Sequence, residues 1–219
     1  MNAQFHDRRD AGRRLAAELR PYADRSDVIV LALPRGGVPV GFEIADALHA
    51  PLEVFVVRKL GLPGQEELAM GALASGGVRV LDDALIRALH VSDDDVQRVT
   101  RWEQAELERR EHQYRGSRNF PDLHGKTVIL VDDGLATGAT MRAAVLAVRK
   151  EEPRAVVVAV PVAAAETCNA FRTIADDIVC AKTPEPFIAV GLWYEDFSQT
   201  TDDEVRDLLE HARHASTPG

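Results

Sequence analysis

Residues 128–140 read Val-Ile-Leu-Val-Asp-Asp-Gly-Leu-Ala-Thr-Gly-Ala-Thr, and this stretch decides the fold. Its first four residues are apolar and mostly β-branched and, with Thr127 before them, predict a buried strand over Thr127–Val131. Two adjacent carboxylates, Asp132 and Asp133, follow that strand. A loop of small residues comes next, and the apolar spacing after Gly138 predicts a helix. A buried strand, a loop and a helix in this order are the repeating unit of an α/β sheet.

The loop in this stretch has the properties of a monophosphate site. Its small residues let the backbone approach a ligand, and the helix after it presents free N–H groups and a positive dipole end. Thr137 and Thr140 add hydroxyl groups. The expected phosphate-binding residues are Gly134, Ala136, Thr137, Gly138, Ala139 and Thr140.

The two carboxylates need a different partner, because they would repel a phosphate. They are suited to neutral hydroxyls such as a ribose diol, so the stretch predicts a site for a sugar 5-phosphate at the carboxyl end of a parallel strand. The alternative is a plain strand–turn–helix with an acidic cap. The complete string in this order favours the ligand site. It lacks the Gly-Lys-Ser/Thr ending of a nucleoside-triphosphate loop, and no Gly-x-Gly-x-x-Gly pattern occurs in the chain.

Continuous apolar runs elsewhere predict further strands, at Val28–Leu33, Leu52–Val57, Ala155–Val162 and, more weakly, Asp177–Ala181. Their lack of polar alternation is typical of parallel strands covered on both faces. A capping sequence at Ser92 predicts a long polar helix to about Tyr114 on the surface, and Thr200–Ala212 predicts a closing helix. We therefore expect one α/β domain over residues 1–219, with an open, mainly parallel sheet and helices on both faces.

Composition narrows the function classes. The 219 residues carry 26 basic and 35 acidic side chains, a net charge of −9 that argues against nucleic-acid binding. With no signal-peptide pattern and no apolar run near 20 residues, we expect a soluble cytoplasmic protein without membrane contact. The two cysteines, Cys168 and Cys180, are expected to be small buried apolar side chains.

The chain resembles the type I phosphoribosyltransferases, and is most similar to a bacterial group known only as predicted phosphoribosyltransferases. Residues 128–140 resemble that family's phosphoribosyl-diphosphate signature. The segment 31–37, Leu-Ala-Leu-Pro-Arg-Gly-Gly, resembles its pyrophosphate loop. Residues 60–67 are similar to the mobile lid of adenine members, and 187–196 to the hood of purine members. The likeness covers about residues 28–197, with a lid at about 60–75 and a hood at about 183–199.

The resemblance implies a function for the predicted site residues. Asp132 and Asp133 would bind the ribose and act in catalysis, and the loop would bind the 5-phosphate. Further substrate contacts would come from Arg35, Gly36, Gly37, Arg58 and Lys59, which lie near the pyrophosphate. The implied reaction is displacement of pyrophosphate by a nitrogen nucleophile, such as a nucleobase, assisted by Mg²⁺ bound through the diphosphate. The resemblance also implies nucleotide salvage and a homodimer.

Departures from the family pattern concern the acceptor. Many 6-oxopurine members and some orotate members carry Asp or Thr where Ala136 stands, so no base comes from this position. Glu66 or Glu67 of the lid, with Glu67 preferred, is the candidate base, and solvated lid glutamates with no protein base are the alternative. Strand 155–162 has no lysine, which argues against hypoxanthine or guanine. Trp193 or Phe187 is a candidate for stacking on a planar acceptor, with core or interface packing as the alternative for each. Glu195 is a candidate metal ligand, with an ordinary surface acid equally open.

Two functions remain open from the sequence. The first is a phosphoribosyltransferase that turns over. The second is a non-catalytic protein that binds phosphoribosyl diphosphate or a nucleotide and regulates a partner. The presence of Arg35, both aspartates and a long lid favours the enzyme.

Overall fold

The structure is a computed structural model in which residues 4–215 are described. The strands are β1 (Val28–Ala32), β2 (Leu52–Val54), β3 (Val57–Leu62), β4 (Gln65–Ala74), β5 (Val78–Leu81), β6 (Thr127–Val131), β7 (Ala155–Val162) and β8 (Asp177–Lys182). The α-helices are α1 (Arg8–Glu18), α2 (Gly37–Leu48), α3 (Asp83–Ala88), α4 (Asp93–Arg115), α5 (Ala139–Lys150), α6 (Ala165–Phe171) and α7 (Asp202–Ala215).

Five strands form one parallel sheet in the order β2-β1-β6-β7-β8. The order places β6, which leads into the acidic pair, in the middle, with β1 on one side and β7 on the other. The strands predicted at 28–33, 127–131, 155–162 and 177–181 are present to within a residue. The strand predicted over Leu52–Val57 is shorter, because Val57 leaves the sheet and begins β3. The predicted fold class is confirmed.

The sheet is buried on both faces, as continuous apolar strands require. Along β1, Val28, Val30 and Ala32 pack into one core with α1, α2 and α7. The alternate residues Ile29 and Leu31 pack into a second core with α5 and α6. Successive side chains of a strand point to opposite faces, so one apolar run supplies both cores.

The predicted lid has a regular structure. The segment predicted as the lid, at about residues 60–75, lies in a three-stranded antiparallel sheet formed by β3, β4 and β5. The turn between β3 and β4 contains Pro63 and Gly64, and Gly64 has φ of +80°. Proline followed by a glycine with positive φ is the signature of a type II turn. Whether this hairpin moves on ligand binding stays a prediction.

The long helix α4 follows its prediction in sequence but packs more than expected. Ser92 caps it, with its hydroxyl accepting a hydrogen bond from the Asp95 N–H. Leu107 and Tyr114 are buried, so α4 is part of the core and not only a solvated surface helix. No helix within residues 4–215 is long and apolar enough to cross a membrane.

The two cysteines depart from their prediction. Cys168 of α6 and Cys180 of β8 form a disulfide, with Cα atoms 6.6 Å apart, so they are not free side chains. A sequence separation of 12 residues does not by itself indicate this pairing, because the strand and helix meet only through the fold.

Candidate functional site

The acidic pair lies at the carboxyl end of the central strand β6, as predicted. Asp132 and Asp133 are both half-buried. The Asp133 N–H donates to Asp132 Oδ1 at 2.9 Å, which fixes the first carboxylate against the backbone of the second. Burial, and then the charge of Asp133, raises the pKa of Asp132 well above its usual range. Burial also raises the pKa of Asp133, opposed by a hydrogen bond and the charge from Arg8.

The predicted pyrophosphate loop lies directly against the acidic pair. A Cβ at Gly36 would overlap the Asp133 carboxylate, and one at Gly37 would lie 2.7 Å from the Val131 carbonyl oxygen and 2.9 Å from Asp132 Cα. The two loops are also joined by a backbone hydrogen bond of 2.9 Å from the Leu33 N–H to the Val131 carbonyl. A side chain at Gly37 would therefore meet the backbone of the acidic strand end, and one at Gly36 would displace the Asp133 carboxylate.

The small-residue loop leads into α5 as predicted. Gly138 caps the helix with φ of +71°, a conformation that other residues rarely adopt. Ala136, Thr137, Ala139 and Thr140 are exposed, while Gly134 and Gly138 pack against the protein. The loop therefore presents hydroxyls and the amino end of a 12-residue helix to solvent.

Helix α6 supports this loop from below, a contact that no sequence pattern predicted. The Thr167 hydroxyl donates to the Ala136 carbonyl at 2.8 Å. The Phe171 ring lies where a side chain on Gly138 would have to go. One helix thus fixes both ends of the exposed part of the loop.

The predicted cations approach the loop to different degrees. Lys59 lines a cavity of about 570 Å³ together with Thr137 and Ala139. Arg58 and Lys59 line a second cavity of about 670 Å³ with Thr140. Arg58 is paired with Glu103 of α4 through an Nε–Oε2 contact of 2.6 Å. The structure therefore brings Lys59 and the phosphate-type loop together.

Arg35 lies in the loop after β1 and is directed toward the closing helix. Its Nη1 atom is 3.9 Å from Asp202 Oδ1, and its side chain is partly exposed. It shares this loop with Gly36 and Gly37, which contact the acidic pair.

Of the remaining predicted site residues, two lie apart from the loop, and the side chains of the other two are not among those that the structure describes. Glu66 and Glu67 belong to β4, but their side chains are outside the described residues. Trp193 packs partly buried in a small core with Phe5 and Tyr194. Glu195 is exposed and contacts His6, with Oε2 2.9 Å from Nδ1. Their proposed roles stay predictions.

Arg8 and Tyr194 are site residues that sequence reasoning missed. Arg8 Nε donates to Asp133 Oδ2 at 2.8 Å, and the Tyr194 hydroxyl donates to the Asp133 carbonyl at 2.6 Å. Arg8 belongs to a charged N-terminal segment whose charges indicated only that a signal-peptide pattern is missing. The partners of both residues are distant in sequence, so no local pattern could identify them.

Comparison with known proteins identifies related chains. Residues 2–192 match the family model described as "Phosphoribosyl transferase domain". A Mycobacterium tuberculosis H37Rv protein named "Putative phosphoribosyl transferase Rv0571c" is 47% identical over 208 residues, which is 95% of this chain and 47% of that protein. The chain thus spans about half the length of this relative.

Solved structures give the same picture of the fold. The crystal structure of TT1426 from Thermus thermophilus is similar with a TM-score of 0.86 and 41% identity, covering 95% of this chain and 98% of that one. The AQ2163 protein from Aquifex aeolicus, at 14% identity and a TM-score of 0.51, covers 92% of this chain and 84% of its own, and is similar in fold alone. These matches agree with the resemblance seen in the sequence.

Proposed function

The chain belongs to the phosphoribosyl transferase domain family, and on that basis we propose that it transfers the 5-phosphoribosyl group from phosphoribosyl diphosphate to a nitrogenous acceptor. Pyrophosphate is the second product. One observation carries the proposal: the half-buried Asp132 and Asp133 and the exposed loop 136–140 lie side by side at the carboxyl end of the central parallel strand. Open α/β sheets bind ligands at this edge.

We assign each part of the substrate to a part of the site. The 5-phosphate would bind Thr137, Thr140 and the amino end of α5, where hydroxyls and helix N–H groups are exposed. The ribose hydroxyls would donate to Asp132 and Asp133. The pyrophosphate would lie toward the loop of Arg35, Gly36 and Gly37, with Arg58 and Lys59 as further cations.

In the reaction, the bond between ribose C1 and the pyrophosphate oxygen breaks and a bond from C1 to the acceptor nitrogen forms. The acceptor gives up its N–H proton, for which Glu67 remains the proposed base. Positive charge develops on the ribose in the transition state, and the nearby carboxylates stabilise it electrostatically. Cationic side chains stabilise the negative charge on the departing pyrophosphate.

We propose that Mg²⁺ binds together with the substrate. No group of three or more His, Cys, Asp or Glu side chains in the described part of the chain could hold a metal ion. Mg²⁺ commonly binds through substrate phosphates and water with one or two protein carboxylates, and Glu195 is the carboxylate we propose. When bound, the ion would neutralise charge on the diphosphate.

The experiment that tests this function measures pyrophosphate release from phosphoribosyl diphosphate and Mg²⁺ with a panel of nucleobases. We expect pyrophosphate to be released only when one particular acceptor is present, in an amount equal to the ribonucleotide formed. Binding of phosphoribosyl diphosphate without release, with every acceptor, would contradict transfer and favour the regulatory alternative. NAD and ATP are the control ligands, and neither should raise the melting temperature as phosphoribosyl diphosphate does.

A further inference from the structure

Arg8, the first residue of α1, contacts the acidic pair although it is 125 positions away from Asp133 in the sequence. Its Nε donates to Asp133 Oδ2 at 2.8 Å. The side chains are only 12% and 17% exposed, so this ion pair is largely shielded from water. Shielded charge pairs interact more strongly than surface pairs, and removing one partner leaves the other charge uncompensated.

The same guanidinium also holds the hood. Arg8 Nη1 donates to the Ser198 carbonyl at 2.7 Å, and its Cζ lies 4.0 Å from the centre of the Phe197 ring. The guanidinium therefore binds Asp133 through Nε, binds Ser198 through Nη1 and stacks on the Phe197 ring. The single ammonium group of a lysine could not make all three contacts. Arg8 is therefore held at a fixed position relative to the strand end and the hood.

The N-terminal segment before Arg8 is itself bound to the hood. The Phe5 N–H donates to the Trp193 carbonyl at 2.8 Å, and the Glu195 N–H donates to the Phe5 carbonyl at 2.8 Å. The Phe5 side chain is fully buried beside Tyr194. This backbone pairing fixes the entry of α1, and with it the place from which Arg8 reaches Asp133.

Arg8 engages one carboxylate oxygen of Asp133, which makes the other, Oδ1, the candidate for a ligand contact. Arg8 contacts Oδ2, and the space beyond that oxygen is closed by Gly36, where an added Cβ would lie 3.2 Å from Arg8 Nε. Asp132 Oδ1 is engaged by the Asp133 N–H. A hydroxyl that approaches the pair would therefore meet Asp133 Oδ1 in a fixed orientation.

We infer that Arg8 is a positioning residue that orients the Asp133 carboxylate toward the ribose hydroxyls. This inference rests on the phosphoribosyl transfer proposed above. Arg8 makes no contact with the substrate in this arrangement. It acts through Asp133, whose rotamer it fixes, and through the hood, which it holds over the strand end. The consequence is a specific one: Arg8 should govern recognition of ribose hydroxyls and leave phosphate binding at loop 136–140 intact.

The test compares calorimetric affinities for ribose 5-phosphate and 2-deoxyribose 5-phosphate, which differ by one hydroxyl. The wild-type protein should prefer ribose 5-phosphate by roughly tenfold, the order expected for a hydrogen bond to a charged group. Arg8→Gln should lose most of that preference while keeping its affinity for the deoxy sugar. Arg8→Lys, which retains the charge without the fork, should lose part of it.

Arg9→Gln is the matched control. Arg9 is the neighbouring residue of α1, pairs with Glu43 at 2.5 Å and lies 5.2 Å from the Phe42 ring centre, away from the loop. It should keep the wild-type preference. Thermal melting of each variant reports the fold separately, and if Arg8→Gln does not melt cooperatively, Arg8→Lys provides the test.

The outcomes separate this inference from the proposed function. A folded Arg8→Gln protein, or in its place Arg8→Lys, with the wild-type preference would overturn the role of Arg8. Loss of preference in Arg8→Gln, together with a wild-type protein that releases no pyrophosphate with any acceptor, would support the role of Arg8 and contradict transfer. A wild-type protein that does not distinguish the two sugars would overturn the role of Arg8, because the acidic pair would not be the diol site, while pyrophosphate release would still decide the proposed transfer.

Discussion

The Tyr194 hydroxyl donates a hydrogen bond of 2.6 Å to the backbone carbonyl of Asp133. This bond joins the hood to the residue that carries the second carboxylate of the candidate site. Burial, and then the charge of Asp133, raises the pKa of the Tyr194 phenol, so it stays protonated and remains a donor. The hood and the acidic strand end are therefore one connected unit in the folded protein.

Replacing Tyr194 with phenylalanine should weaken that connection. The change removes the donor and leaves the Asp133 carbonyl without this partner, while the buried ring and its contact with Phe5 are kept. We expect the free energy of unfolding to fall by about 1 kcal/mol, the usual net value of a hydrogen bond. Urea denaturation measures it, and an unchanged midpoint would contradict the prediction.

Two adjacent glycines should respond differently to alanine. At Gly37 the new Cβ would meet backbone atoms of Val131 and Asp132, which cannot move without distorting β6. At Gly36 it would meet the Asp133 carboxylate, which can rotate away. Gly37→Ala should therefore lower the free energy of unfolding by roughly 1–3 kcal/mol, as overpacking does, with a smaller loss for Gly36→Ala.

Gly36→Ala should instead impair ligand binding, since rotation of Asp133 breaks its contact with Arg8. Chemical denaturation and calorimetry with ribose 5-phosphate measure the two effects on the same samples. If Gly36→Ala destabilises the fold as much as Gly37→Ala and binds normally, the assigned contacts are wrong.

Asp132→Asn should raise stability at neutral pH. The folded-state pKa of Asp132 lies above the ordinary 3.8, so its protonated form favours folding. That contribution is complete below the ordinary pKa and is lost as the pH rises through the raised value. The asparagine amide stays neutral at every pH and so avoids this loss of stability. Its oxygen can still accept the hydrogen bond from the Asp133 N–H. The gain should disappear near pH 4.

Asp27→Asn is a control with the opposite sign. Hydrogen bonds from Arg25 and Thr127 lower the pKa of Asp27 to about 2, so its charged form favours folding above the ordinary pKa. That contribution is lost only as the pH falls through the lowered value. Asp27→Asn should therefore be less stable than wild type at neutral pH. Melting curves from pH 4 to pH 8 measure the stability of both variants against wild type. Equal shifts of the melting temperature in the two variants at neutral pH would contradict both predictions.

The central sheet could be predicted because its strands are unusually explicit in the sequence. Val128–Val131 and Ala155–Val162 are continuous apolar runs closed by turn residues, and only buried parallel strands commonly combine these properties. The loop and acidic pair could be predicted as well, since they are contiguous with a strand. Local sequence and global fold agree in this part of the chain.

The hairpin could not be predicted by the same reasoning. Strand β4 reads Gln-Glu-Glu-Leu-Ala-Met-Gly-Ala-Leu-Ala, without a single β-branched or aromatic residue. Its strand conformation comes from pairing with β3 and β5 on its two sides, which overrides the local preference. The Pro63-Gly64 turn was the available signal, and it was interpreted as part of a loop.

Arg8 shows the limit of local reasoning for the site. Its partner Asp133 is 125 positions away, and Arg8 stands among other arginines of similar appearance. What distinguishes Arg8 from the other arginines is that its side chain is largely buried between the hood and the end of β6. Only the folded arrangement contains that information.

The most direct measurement is the single-turnover rate of pyrophosphate release in Asp133→Asn, compared with wild type and with Thr137→Val. Asparagine can still accept from Arg8 and a hydroxyl but does not supply the negative charge that stabilises the cationic ribose. The rate should therefore fall by about a hundredfold or more, with a smaller loss of affinity. Thr137→Val should mainly weaken binding, by roughly 1–3 kcal/mol. An Asp133→Asn protein that releases pyrophosphate at the wild-type rate would contradict the assigned site, because the acidic pair would then have no part in the transfer.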